Sequence, residues 1–250
     1  MSMKEKILKM LSERERSSEE LRKEIKDEKL NSVIEEMKNS GLIFFNKAQK
    51  YSITLLGKIL TLGLTDAYKK IIEKKEFFDF FKTRIPSKIP DELLFKFDLA
   101  NDFQIIGKPD FIPKQKEITN KIFDIHPYAE KEIYVSAPII YRPPIMHTMT
   151  LLKKRSKTHL ILPKQEYEKS DNTFIKVAQK LTNLKIRVIK PEDQYMGLLI
   201  IDNKFCFFGF RDLENKPGWD AVIYTETREC IEWVKENFDY MWKNLAFSEE

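Results

Sequence analysis

The apolar positions at the start of the chain recur at helical spacing. Residues 3–12 and residues 28–40 each carry an apolar stripe whose members lie three or four positions apart, which predicts two amphipathic helices. The stripes consist of Ile7, Leu8 and Leu11 in the first run and of Leu30, Ile34 and Met37 in the second. Between the runs, Ser17 and Glu20 fit the Ser-x-x-Glu capping box, which predicts another helix that starts there.

A different pattern follows Gly41, a residue type that commonly ends a helix. Two short runs of strand-forming residues flank the polar residues 46–49, so we expect a β-hairpin, the wing, over residues 44–52. Three helices followed by a hairpin is the order of a winged helix-turn-helix. We therefore predict a DNA-binding domain of this kind over residues 1–62.

Residues 63–129 predict a helical connector. The segment Phe77–Phe81 carries four phenylalanines in five positions, more than one face of a helix can hold. These rings must pack either inside the chain or against a partner chain. A dimer contact is one of the two alternatives, since the sites of such DNA-binding proteins are usually two-fold repeats.

From residue 130 onward, short apolar runs alternate with helical patterns, including helices at residues 143–154, 173–184 and 228–245. Strand–helix alternation predicts an α/β domain with a mostly parallel sheet over residues 130–250. Asp202 and Asn203 interrupt two apolar runs and predict a hairpin turn. The predicted fold class is α+β or α/β, with a winged helix-turn-helix, a helical connector and this C-terminal domain.

Composition narrows the class of protein. Hydrophobic residues make up 42% of the chain, and the net charge of +5 permits nucleic-acid binding without requiring it. We expect no membrane span and no signal peptide, because no run of eighteen apolar residues occurs and the N-terminus lacks an apolar stretch. Two cysteines form neither a disulfide framework nor a metal motif, so a cytoplasmic protein without a cofactor is expected.

Two segments of the N-terminal region carry a family resemblance. The segment Met37–Ile43 resembles the "Leu-x-x-x-Gly-Leu-Ile" end of the recognition helix in archaeal ArsR/MarR-like regulators. The segment Tyr51–Gly57, with its Ile-Thr-x-x-Gly ending, resembles the return strand of the wing and the next helix in the same families. The resemblance implies duplex DNA as a partner.

The C-terminal region resembles a second family. Its motifs are Ile89–Leu94, Phe208–Phe210, Gly218–Asp220 and Glu229–Tyr240. In this order and spacing they are similar to archaeal regulators that carry the methanogenesis regulatory protein middle domain behind a winged helix. The resemblance implies a transcription factor whose sensor domain is laid out like half of a phospholipase D fold.

A phosphodiesterase-like enzyme is the least favoured alternative. Phospholipase D chemistry needs a His nucleophile with a Lys two positions later. Tyr128, Met149 and Ile161 stand two positions after the three histidines, so the motif is absent. We expect no enzyme activity and no metal site.

The outward positions of the third helix and the wing are the candidate DNA contacts. Lysine can reach phosphate or guanine, and asparagine pairs with adenine. The candidates are Lys29, Asn31 and Ser32 on the helix and Lys47, Gln49 and Lys50 on the wing. Glu35 and Glu36 argue against this function, because they would repel phosphates. A winged helix that serves as a protein-interaction scaffold is the alternative.

The C-terminal domain is expected to bind an effector of unknown identity, for which an anionic metabolite is the first candidate. Arg142, Arg211 and Asp220 follow or precede predicted strands, where ligands of open α/β sheets bind. Arginine can hold an anion with two parallel hydrogen bonds. A purely structural C-terminal domain is the alternative, and a homodimer is expected in either case.

Overall fold

A computed structural model describes residues 1–86, 88–97, 103–107, 115–125, 130–138, 156–169, 179, 183–216 and 219–247. The chain forms two compact units. The first comprises Met1–Phe95 together with the segment Arg211–Lys216, and the second comprises Lys96–Phe210 and Pro217–Glu250.

The first unit is a winged helix-turn-helix followed by further helices. Its elements are α1 (Met3–Glu13), α2 (Ser18–Glu24), α3 (Leu30–Asn39), β1 (Ile43–Phe45), β2 (Tyr51–Ile53), α4 (Leu55–Thr61), α5 (Thr65–Glu73), α6 (Lys75–Lys82) and α7 (Asp91–Leu94). The predicted order of three helices and a hairpin is confirmed.

Local signals set the ends of these helices. The Glu20 N–H donates to Ser17 Oγ at 3.2 Å, and the Ser17 N–H donates to Glu20 Oε2 at 2.7 Å, so the predicted capping box forms. The hydrogen bonds from Ser17 and from Arg14 lower the pKa of Glu20 to about 2, and the carboxylate stays ionised. Gly41, with φ of +69°, follows the end of α3 as expected of a helix terminator.

The phenylalanines of α6 pack within the chain. Phe77, Phe80 and Phe81 are each at most 2% exposed, and the last two rings meet edge to face at 5.3 Å. Of the two alternatives left open by the sequence, the structure shows intrachain packing for these three rings.

The residues expected to form a helical connector, 63–129, are divided between the units. Helices α5 and α6 pack against α4 in the first unit. The second unit begins at Lys96, and it contains the remaining connector elements, which are a strand at Gln104–Gly107 and a helix at Gln115–Ile125.

The second unit contains a sheet covered by helices. Its elements are β3 (Gln104–Gly107), α8 (Gln115–Ile125), β4 (Glu132–Ser136), β5 (Lys157–Pro163), α9 (Lys164–Lys169), β6 (Leu184–Ile189), β7 (Met196–Ile201), β8 (Phe205–Phe210), β9 (Ala221–Thr225) and α10 (Arg228–Tyr240). In the described part of the chain the strands form one sheet in the order β3-β9-β8-β7-β4-β5-β6. This confirms the α/β class.

The sheet is mixed rather than mostly parallel, which corrects one expectation. Among the described strands, β4–β5 and β5–β6 pair in parallel, whereas β3–β9, β9–β8, β8–β7 and β7–β4 pair antiparallel. Connection length is the physical reason. Asp202 and Asn203, both with positive φ, close a tight hairpin between β7 and β8, and such short connections join only antiparallel strands.

Some expectations fall outside the described residues. The helix predicted for 143–154 and nearly all of the helix predicted for 173–184 lie there. The closing helix is present as α10, and a π-helical turn, Met241–Leu245, extends it. Within the described residues, no helix combines the length and the apolar character that crossing a membrane requires.

Candidate nucleic-acid interface

Helix α3 has one buried face and one open face. Leu30, Ile34 and Met37 are at most 3% exposed and fix the helix on its own unit. Asn31 and Ser32, on the opposite side, are exposed. The arrangement is the one that a recognition helix needs, because a helix in the major groove must present polar groups while its back stays packed.

The start of α3 differs slightly from the expectation. The helix begins at Leu30 rather than near residue 28, and Lys29 occupies the N-cap position. The Lys29 N–H donates to Asp27 Oδ1 at 2.8 Å, which explains why the chain turns before entering the helix. Lys29 remains exposed. Its side chain is therefore available at the helix entrance.

Asn31 is held by the preceding helix. Arg22 Nη2 on α2 donates to Asn31 Oδ1 at 3.3 Å, and both residues are exposed. Since this hydrogen bond uses the amide oxygen, the two N–H donors of the Asn31 amide nitrogen take no part in it. The pair brings a guanidinium beside the predicted base-reading side chain, a neighbour that the sequence did not reveal.

The two glutamates that argued against DNA binding are ion-paired. Glu36 lies 2.5 Å from the Nζ atom of Lys4, and Glu35 lies 2.9 Å from the Nζ atom of Lys38. The Glu35 carboxylate raises the pKa of Lys38, so that ammonium group stays charged. Pairing lowers the net negative field on this side of α3, which weakens the objection.

The wing is a short hairpin joined to the rest of the first unit. Phe45 pairs with Tyr51, and Tyr51 also exchanges two backbone hydrogen bonds with Arg16, at 2.8 and 3.1 Å. Asn46 Oδ1 accepts the N–H of Lys50 at 3.0 Å, and Gln49 has φ of +58°. These contacts fix the conformation of the tip.

At the tip, Lys47 and Gln49 are exposed and Lys50 is partly buried. The Nζ atom of Lys47 lies 2.9 Å from Glu214 Oε1. Glu214 belongs to the segment Arg211–Lys216, which the sequence analysis did not associate with the wing. No local pattern signals this contact, since more than 160 residues separate its partners along the chain.

The three predicted effector residues fall in different parts of the chain. Arg142 lies outside the described residues. Arg211 is 7% exposed and belongs to the first unit, where its Nη1 atom donates to the carbonyl of Asn215. Asp220 belongs to the second unit, directly before β9. The pocket built from these three residues stays a prediction.

A cleft of about 400 Å³ lies elsewhere, at the amino-terminal ends of β4 and β5. Its lining consists of Glu130, Lys131, Glu132, Lys157, Asp202 and Asn203. The Asp202 carboxylate accepts three backbone N–H groups from residues 130–132 at 2.6 to 2.8 Å. Because the lining has more acids than lysines, the cleft gives no support to an anionic ligand.

No cluster of His, Cys, Asp or Glu within the described residues is arranged to hold a metal ion. Cys206 and Cys230 are both buried. Burial, with a smaller contribution from Cys230, raises the pKa of Cys206 well above its usual range. A thiol in this state is a packing residue rather than a nucleophile.

Three solved structures are similar to the chain in part or in whole. An archaeal chromatin protein, TrmBL2, whose structure is described as showing a novel mode of DNA binding, has 18% identity and a TM-score of 0.46, covering 99% of this chain and 94% of that one. NucT from Helicobacter pylori has 15% identity and a TM-score of 0.44, covering 58% and 99%. Nuc from Salmonella typhimurium, a phospholipase D family member, has 12% identity and a TM-score of 0.45, covering 60% and 98%.

At these TM-scores the three similarities do not indicate a function for this chain. A comparison with curated proteins found no match. The decisive finding is the match of residues 119–244 to the family model described as "Methanogenesis regulatory protein FilR1, middle domain". This match covers half of the sequence and confirms the resemblance drawn from the C-terminal motifs. The chain therefore belongs to the family of the methanogenesis regulatory protein FilR1.

Proposed function

We propose that this regulatory-family member is a transcriptional regulator that binds duplex DNA through α3 and the wing. The observation that carries the proposal is the winged helix-turn-helix of the first unit. Lys29, Asn31 and Ser32 are exposed at the start of α3, and the fixed hairpin presents Lys47, Gln49 and Lys50. A helix of this kind reads base edges, and a basic wing beside it contacts the DNA backbone.

Base readout and backbone contact predict different mutant behaviour. Asn31→Ala is expected to cost about 1–3 kcal/mol on the preferred sequence and to relax discrimination at one base position. Lys47→Ala and Lys50→Ala are each expected to weaken binding to all sequences alike, by up to about eightfold at 0.1 M salt. Fluorescence anisotropy on a selected duplex and on a scrambled one measures both effects.

A screen of promoter-region duplexes must first supply the preferred sequence. If no duplex binds above the non-specific level, the winged helix is better explained as a protein-interaction module. If Asn31→Ala loses the same affinity for both duplexes, Asn31 contacts the DNA backbone and does not read a base.

The second unit is proposed to sense an effector, with a homodimer as the working assembly. Support comes from family membership and from the size of the unit, which exceeds what DNA binding alone needs. Effector binding can shift DNA affinity only if the effector prefers one of two forms of the protein. The protein is further proposed to be cytoplasmic and to lack enzymatic activity, consistent with the absent His-x-Lys motif.

Thermal-shift measurements with small anionic metabolites test the sensing role. We expect at least one metabolite to raise the melting temperature, to lose this effect in Arg142→Ala and to change DNA affinity. Arg211→Ala is the poorer variant, because Arg211 holds its own loop through Asn215. If no metabolite shifts the melting temperature, the structural alternative for this unit is favoured.

A further inference from the structure

The segment Arg211–Lys216 forms an ordered loop. Asp212 Oδ1 accepts the N–H groups of Glu214 and Lys216 at 2.9 and 2.8 Å, and the Asp212 N–H donates to the carbonyl of Lys216 at 3.0 Å. Asn215 adopts φ of +61°, which closes the turn. The loop thus presents Glu214 from a fixed backbone.

The loop is anchored to the interior of the first unit. The Ile85 N–H donates to the carbonyl of Arg211 at 3.0 Å, and Arg84 forms a β-bridge with Asp212. Arg84 is fully buried, with its guanidinium 4.8 Å from the centre of the Phe80 ring. An anchor of this kind keeps the loop beside the wing.

Glu214 lies between two lysines. Its Oε1 atom is 2.9 Å from the Nζ of Lys47 on the wing, and its Oε2 atom is 2.5 Å from the Nζ of Lys216 on the loop. The two ammonium groups lower the pKa of Glu214 to about 2, so the carboxylate stays ionised at any cellular pH. Proton uptake cannot release the lysines, but a competing anion can.

We propose that the loop is a second DNA-contacting element, in which Glu214 holds Lys47 and Lys216 in the free protein and yields both to a backbone phosphate. The inference rests on the proposed DNA-binding function. Two ammonium groups around one two-oxygen anion match the way in which lysines surround a phosphate. Both lysines are well exposed, at 83% and 68% of their side chains, and exposed ion pairs are weak enough to be exchanged.

Three full-length variants test the loop. Glu214→Gln is expected to bind every duplex about threefold more tightly at low salt, because a repelling charge is removed, and this gain should vanish at high salt. Lys216→Ala is expected to weaken binding and to reduce the slope of log affinity against log salt by about 0.9, the loss of one phosphate contact. Glu73→Gln, at an exposed position at the end of α5, removes the same charge from a helix that packs on α4 and α6, and it serves as the matched control.

The outcomes separate the loop from the wider function. Wild-type binding to duplex DNA, with Glu214→Gln matching Glu73→Gln and Lys216→Ala keeping the wild-type slope, would overturn the loop's role while the proposed function stands. No duplex binding by the wild-type protein would overturn both. The second contact is supported if Glu214→Gln binds DNA more tightly while Glu73→Gln does not, and if Lys216→Ala shows the reduced slope.

Discussion

Gly57→Ala is expected to destabilise the first unit by about 2 kcal/mol or more, at the upper end of what overpacking a core costs. A Cβ atom at this position would lie 2.2 Å from the carbonyl oxygen of Leu42 and 2.8 Å from Cγ1 of Ile53. The first neighbour is backbone and cannot rotate away. Helix α4 would have to move from the strands of the wing to relieve the contact.

Helix propensity favours alanine at this position, so the change in stability depends on whether the clash costs more than the propensity gains. Alanine is better than glycine within a helix by about 1 kcal/mol. Gly57 lies near the start of α4, where its N–H donates to Thr54 Oγ1 at 3.0 Å. Because the clash involves two atoms that both belong to the buried core, its cost exceeds the propensity gain, and the variant should be less stable.

Thermal unfolding measures the result. For a unit of this size, a loss of about 1 kcal/mol lowers the melting temperature by roughly 4–8 °C, so a fall of about 8 °C or more is expected. Gly63→Ala is the control: its φ is +73°, but a Cβ there meets no atom within 4 Å, which isolates backbone strain from overpacking. A Gly57→Ala protein as stable as the wild type would show that α4 shifts freely.

The first unit was largely predictable because its signals are local. The capping box of Ser17 and Glu20 and the terminator Gly41 act over three or four residues, and each appears in the structure where the sequence placed it. The apolar stripe of α3 identified its buried face for the same reason. Short-range rules work where a short segment determines its own conformation.

Long-range pairing limited the prediction for the second unit. Strand β3 has four residues, too few for a clear alternation, and its partner β9 lies more than a hundred residues later. Strand–helix alternation favours parallel pairing, but the tight Asp202–Asn203 turn joins two consecutive strands of this sheet. That turn already required one antiparallel pair.

The candidate site shows the same division. Exposure of Lys29, Asn31 and Ser32 followed from helical periodicity alone. The contact of Glu214 with Lys47 could not be predicted from periodicity, because it depends on where the loop between β8 and β9 returns to the first unit. Arg211, expected to bind an anion because it follows a predicted hairpin, donates to the carbonyl of Asn215, and only the folded loop reveals that contact.

The affinity of the protein for its preferred duplex is expected to fall steeply as salt is raised. Each neutralised phosphate contributes about −0.9 to the slope of log affinity against log salt. The three lysines of α3 and the wing, Lys29, Lys47 and Lys50, predict a slope of about −2.7 for one chain and about −5.4 for a homodimer on a two-fold site. If the loop also contacts a phosphate, Lys216 adds about −0.9 per chain. Between about 50 and about 200 mM salt, slopes of about −2.7 and about −5.4 correspond to losses of about 40-fold and about 2 × 10³-fold.

The slope therefore measures both the mode of binding and the number of chains on the DNA. The double variant Lys47→Ala/Lys50→Ala should flatten it by about 1.8 per chain, since two phosphate contacts are lost. A slope of about −2.7, or about −3.6 with Lys216, would indicate one chain on the DNA, which removes the dimer from the proposal and leaves DNA binding intact. A slope near zero, unchanged in the double variant, would show that phosphates are not contacted. The exposed face of α3 would then be better explained as a protein-docking surface, where Glu35 and Glu36 no longer oppose the function.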